Sequence, residues 1–370
     1  MGDCNCVLNC ITNNPFRILG VFANAPKKDI VSSENKIKAF LKVDKAIQLP
    51  LDSIPCLPSI KRDLDSVSKA KKELERPIDE LKSLLFWFVE QTPIDKIAFN
   101  HLTSGNIQKA IEIWSKVDNL SSSLNLLTSY TILEDWEHVA ECADGLLSNY
   151  NYVEDVCKLV SDTIQYDSPQ MIKFYLDVIC KESPVTLWKI YRSLDPDPDG
   201  PNLEDKGTTE WNIQIREVLA SYFIQKTENQ LAEVLKTPKD DILERARKMH
   251  HLLKQIDWEA RREVMGNGVD LSRLKDKVAS EGIQISINLY NNSDDSSQVA
   301  RMSLELAQLA LNTSEKGSLV YQRCEENVNT LKDICSELPP VEAVYYDKLL
   351  KPIIEAYQNK PSTIDNANDF

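Results

Sequence analysis

Apolar residues recur along nearly the whole chain at helical spacing rather than in alternation. Ile30, Ile37 and Leu41 line one face of a helix predicted over 27–47, while Lys38, Lys42 and Lys45 share another. Leu64, Val67 and Leu74 mark a helix from about residue 60, which Pro77 should stop at Arg76 by disfavouring helical geometry in its predecessor. Ahead of both, Asn14 can cap a short helix that Pro15 opens and Gly20 ends. Pro50, Pro55 and Pro58 break the connection over 48–59, and Leu84-Leu85-Phe86-Trp87-Phe88 forms an apolar end expected to join this module to the next.

Beyond residue 90 the helical pattern continues. Thr92-Pro93-Ile94-Asp95 reads as a capped start, with an acid three residues after the threonine, and Gly105 ends that helix. Asn106 caps the next, with Ala110, Ile111 and Trp114 on its packed face, and helices are predicted near 151–166, 169–182 and 184–194. After a polar break at Asp195–Gly207, a long helix is expected over 209–236. Thr237-Pro238-Lys239-Asp240 opens another, striped by Ile242, Ala246, Met249, Leu253 and Ile256. Ile283, Ile285, Ile287 and Leu289 alternate like a strand, but Ile283, Ile287 and Tyr290 also fit a helical face, and the surrounding pattern favours helix. A last pair is predicted over 316–337 and 340–358.

The expected class is therefore all-α. The parts are a cysteine-containing leader over 1–13, a small helical head over 14–90, helical repeats over 91–194, an acidic loop over 195–207, a second helical region over 208–359 and a tail from 360 to 370. Ten glycines in 370 residues agree with this, because sheet-rich folds use glycine in hairpins and bulges. The net charge is −14 and uneven: residues 1–90 carry 14 Lys and Arg against 12 Asp and Glu, or +2, which leaves −16 on the other 280. An acidic body argues against nonspecific binding to nucleic acid or to an anionic membrane, since both need a positive field. No apolar run approaches the ~20 residues that span a bilayer, and residues 1–20 lack the pattern of a secretory leader. A cytoplasmic address is expected, with the nine cysteines acting as small apolar side chains.

Two stretches carry resemblances. Asn14-Pro15-Phe16-Arg17-Ile18-Leu19-Gly20-Val21, with the later Ala70…Leu74-Glu75-Arg76-Pro77…Glu80, resembles the first and last helices of a J-domain, the module that recruits and stimulates a heat-shock ATPase chaperone. The resemblance implies a compact helical hairpin flanked by short helices, with a basic second helix that meets the chaperone. Lys38, Lys42 and Lys45 stand on that helix, diluted by Glu34 and Asp44. The His-Pro-Asp tripeptide that triggers hydrolysis in the family is absent, and the 48–59 connection stands in its place. Gly105-Asn106…Lys109-Ala110-Ile111…Trp114 is similar to the turn and second helix of a tetratricopeptide unit. Asp135-Trp136…Ala140…Ala143 makes a degenerate second copy, and Tyr290…Ala300, Leu304 and Ala307 make a third such hairpin.

Candidate metal ligands are few. Cys4, Cys6 and Cys10 could supply three thiolates, but tetrahedral zinc needs a fourth ligand and none lies close downstream. Asp195, Asp197 and Asp199, followed by Gly200, match the first half of a calcium loop, but Lys206 stands where the bidentate glutamate belongs. His250 and His251 point about 100° apart on a helix, whereas His138 and Cys142 could face one way. No nucleophile elbow, zinc-protease helix or phosphate-cradling glycine loop occurs, so no catalytic residue and no cofactor is expected. The leading reading is a non-catalytic adaptor that binds proteins through the head and the repeats. The alternatives are an active co-chaperone using the 48–59 loop, and a metal-binding protein or enzyme using the cysteines or the Asp195 loop.

Overall fold

The computed structural model describes residues 6–54, 57–194, 209–292, 297–338 and 341–358. Among these every regular element is helical and no strand occurs, as the hydrophobic spacing requires. The chain divides into two compact units, 1–222 and 223–370.

The first unit begins with α1 (Cys6–Thr12), where a leader is expected. Its Ile11 is fully buried and the helix packs on α8 (Leu120–Leu133) and α11 (Ser168–Glu182), so this segment belongs to the core. Next come α2 (Pro15–Leu19) and α3 (Lys27–Leu41), a 3-10 turn over Pro50–Ser53, α4 (Leu64–Glu73) and α5 (Pro77–Leu84). Asn14 caps α2 by accepting from the Phe16 amide, and Gly20 ends it in the left-handed region at φ 65°. A side chain at Gly20 would run into Leu49, so the position needs glycine for both conformation and space.

Two boundaries differ from expectation. α3 stops at Leu41 rather than 47, because Asp44 takes φ 52° and the Lys45 amide turns back to the Phe40 carbonyl at 3.0 Å. Aspartate tolerates that left-handed geometry better than most residues. α4 starts at Leu64 rather than 60, where Asp63 and Ser66 form a reciprocal capping box. Arg76 is extended, as a residue before proline should be, and Pro77 opens α5.

The rest of the unit is a series of short-looped helices: α6 (Pro93–Thr103), α7 (Ile107–Trp114), α8, α9 (Trp136–Leu147), α10 (Tyr150–Val160), α11 and α12 (Pro184–Ser193). Ala110, Ala140 and Ala143 are completely buried. α6 packs on α7 and α8 on α9. Contacts also run non-sequentially: α5 meets α10, and α11 and α12 both return to α9.

Helix α13 (Glu210–Leu235) crosses the division, with Trp211, Ile215 and Leu219 buried in its first half and Leu231 and Val234 in its second. The second unit continues with α14 (Ile242–Gln255), α15 (Trp258–Met265), α16 (Val269–Asn292), α17 (Ser297–Thr313), α18 (Leu319–Glu337) and α19 (Val341–Gln358). Asp241, not the Thr237 turn, caps α14. The alternating isoleucines lie on α16, where the helical reading holds. Gly282 lets that helix approach its neighbours: a Cβ there would sit 3.2–3.3 Å from Leu253, Met249 and Ala310. Ala246, Met249, Leu253 and Ile256 fill one core, and Ala307, Ala310, Cys324 and Val328 a second. No described helix is long and apolar enough to cross a membrane.

Candidate functional site

Three features of the first unit bear on function: the loop between α3 and α4, the seam after α5, and the outer face of α3. The loop is held inward. Leu49, Leu51, Ile54 and Leu57 are buried along it. Asp52 binds the Leu49 amide at 2.9 Å and takes both arms of the Arg62 guanidinium at 2.7 Å. Arg62 also donates to the carbonyls of Ile18 at 2.6 Å and Arg17 at 3.1 Å, which ties the loop to the last turn of α2. Arg17, itself buried, donates to the Thr12 carbonyl at 2.7 Å and to that of Pro58. Burial lowers the Arg17 pKa from its ordinary value, with Asp52 opposing and Arg62 adding to the shift. A charge network of this kind loses several kcal/mol when one partner is removed. It is an anchor for the loop, and hydropathy spacing gives no sign of it.

The seam after α5 is continuous with the helices beyond it. Asn14 Nδ2 donates to the Ser83 and Phe86 carbonyls, Trp87 Nε1 to the Val21 carbonyl at 2.9 Å, and the Ala23 amide to Phe88 at 2.8 Å. On the other side Asn125 of α8 exchanges two 2.9 Å hydrogen bonds with the backbone of Val89. Asp95, fully buried, collects six donors. The Gln91 and Thr92 amides and the Thr92 and Ser121 hydroxyls meet one oxygen at 2.8–3.0 Å; Trp114 Nε1 and Asn125 Nδ2 meet the other at 3.1 and 3.3 Å. Only an acceptor-only group suits that set. The aromatic residues close the seam: Phe88 packs against Phe99 and Trp114, and Phe86 stacks on Tyr175 with centroids 5.2 Å apart. The Phe86-Trp87-Phe88 patch is buried within the first unit. The Thr92–Asp95 spacing announces the capping box; Asp95's reach to α7 and α8 comes from tertiary structure alone.

On α3 the three candidate lysines part company. Lys38 pairs with Glu34 at 2.7 Å and is half-buried. Lys42 is the exposed C-cap, and Lys45 is exposed beyond the helix, past the Asp44 turn. The exposed apolar side chains Phe40 and Val43 lie between them in sequence.

Of the metal candidates, Asp195, Asp197, Asp199 and Cys4 lie outside the described residues, as does the side chain of Cys6. Cys10 is half-buried on α1. Among the described residues no cluster of three or more His, Cys, Asp or Glu could hold a metal ion. His138 Nδ1 lies 2.8 Å from Asp135, and its ring stacks on Tyr130. The hydrogen bond to Asp135 raises the His138 pKa. Cys142, its expected neighbour, is pushed up to about 11, chiefly by burial, which makes it a poor nucleophile. His250 binds Glu305, which also takes Lys254, while His251 turns to Gln255.

No family model matches the chain, and no curated protein or solved structure is significantly similar to it.

Proposed function

We propose that the protein is a non-catalytic adaptor whose head docks a protein partner while the helices behind it hold a second polypeptide. The J-domain resemblance of residues 14–90 suggests a heat-shock ATPase chaperone as the partner class. One observation carries the reading: the loop standing where that family keeps its trigger is clamped inward by Asp52, Arg62 and four buried apolar side chains. The exposed cations Lys42 and Lys45, with Phe40 and Val43, remain for docking.

The test uses the full chain and a purified heat-shock ATPase chaperone. Surface plasmon resonance should detect binding that weakens about tenfold in the Lys42→Glu, Lys45→Glu double variant, consistent with loss of a charged docking rim. Chaperone ATPase turnover should change by less than about twofold, since no triggering group is presented. Strong stimulation would make the protein an active co-chaperone, and no binding would remove the chaperone as partner.

A further inference from the structure

A groove of about 590 Å³ opens in the first unit between the start of α5 and one face of α11. Gln170, Lys173, Phe174 and Asp177 follow one another at i, i+3, i+4 and i+7, so α11 presents a single stripe to it. Tyr166, from the connection before α11, faces Phe174 with centroids 5.7 Å apart, and Ile78 of α5 supplies an exposed apolar edge. Lys82 of α5 and Glu182 of α11 form an ion pair at 2.7 Å between the two walls.

Its chemistry is dipolar. Lys173 and Asp177 both line it, and neither forms an ion pair among the described residues. Four helical residues put them about 6 Å apart along the axis. In an extended chain, residues i and i+2 point to the same side at about 6.7 Å, nearly the same interval. The basic member of such a pair would meet Asp177 and the acidic member Lys173, while Tyr166, Phe174 and Ile78 offer apolar and ring surface to the flanking side chains. Partial desolvation raises the Asp177 pKa, with Lys173 opposing, while the side chain stays open to an incoming cation.

We infer that this groove binds an extended protein segment carrying a basic and an acidic side chain two residues apart. The inference deepens the adaptor reading by naming what the helices behind the head take up. It rests on residues distant in sequence from Lys42 and Lys45, so the two can fail separately.

Fluorescence anisotropy with the full chain and a fluorescein-labelled, end-capped peptide of sequence Val-Thr-Arg-Thr-Glu-Thr-Val tests it. The wild type should bind this peptide about fivefold or more tightly than a control with Arg and Glu adjacent, or one with Arg at both positions. Asp177→Asn and Lys173→Gln should each weaken binding about three- to tenfold. Both sites are exposed, so the circular dichroism melt should be unchanged. Absence of saturable binding below ~1 mM, equal affinity for all three peptides, or indifference to both substitutions would overturn the inference. Chaperone binding through α3 would stand or fall on its own assay.

Discussion

Removing the Asp95 carboxylate should unfold the first unit at markedly lower denaturant. In Asp95→Ala, Ser121 keeps a second acceptor in Asn119 and Asn125 keeps the Val89 carbonyl. Trp114 Nε1 has no such reserve and is fully buried; an orphaned donor there costs ~2 kcal/mol. Losing the reciprocal cap of α6 adds about 1 kcal/mol. The Gln91 amide and the Thr92 hydroxyl lie nearer the surface, where water can recover part of the loss, so another ~1 kcal/mol is reasonable. The sum is ~4 kcal/mol, a large part of a typical domain's stability. Asp95→Asn should cost about half as much. Its oxygen can keep the four donors on one side, while its amide nitrogen faces Trp114 and Asn125 and loses both bonds. Guanidinium unfolding followed by tryptophan fluorescence reads this directly, because Trp87, Trp114, Trp136, Trp188 and Trp211 lie in the first unit and only Trp258 in the second. The midpoint should fall at constant slope. A loss below ~1 kcal/mol for the alanine variant, or an asparagine variant as damaged as the alanine one, would refute the account of Asp95 as the polar centre of the seam.

Two other expectations can be checked alongside. Arg62→Lys keeps the charge but offers one nitrogen where a fork now makes four contacts to Asp52, Ile18 and Arg17; thermal melts should show a loss of ~2–3 kcal/mol, and a change under ~0.5 kcal/mol would deny the anchor its role. The raised His138 pKa means that its pairing with Asp135 stabilises the fold fully below the unfolded histidine value of about 6.5 and fades as pH rises through the folded value. An NMR titration should place the His138 midpoint above that of Asp135→Asn, and equal midpoints would contradict it.

Local chemistry was readable from the sequence wherever a few neighbours decide the outcome. Asn14 and Gly20 bracket α2, Thr92 and Asp95 open α6, and Asn106 opens α7, because caps and left-handed turns have strong residue preferences. The isoleucines of α16 could be placed on a helix because the stretch around them has helical spacing. The end of α3 was hidden: Asp44 fills a role usually taken by glycine. α1 was missed because seven residues are too short to show a period. The Asp52–Arg62–Arg17 network and the spread of Asp95 to Trp114 and Asn125 join residues 10 to 45 apart, and no local rule reaches that far. The groove was half legible: Lys173 and Asp177 share a helical face, but the opposing Ile78 lies about a hundred residues earlier.

The backbone of 86–90, bonded to Ala23 and Asn24 on one flank and to Asn125 on the other, sets how this protein can be cut and reused. A fragment ending at residue 90 would bare the faces of Phe86 and Phe88 to water and strip Val89 of both its bonds. The amino-terminal ninety residues are consequently no transplantable cassette: they pack as one piece with the helices downstream.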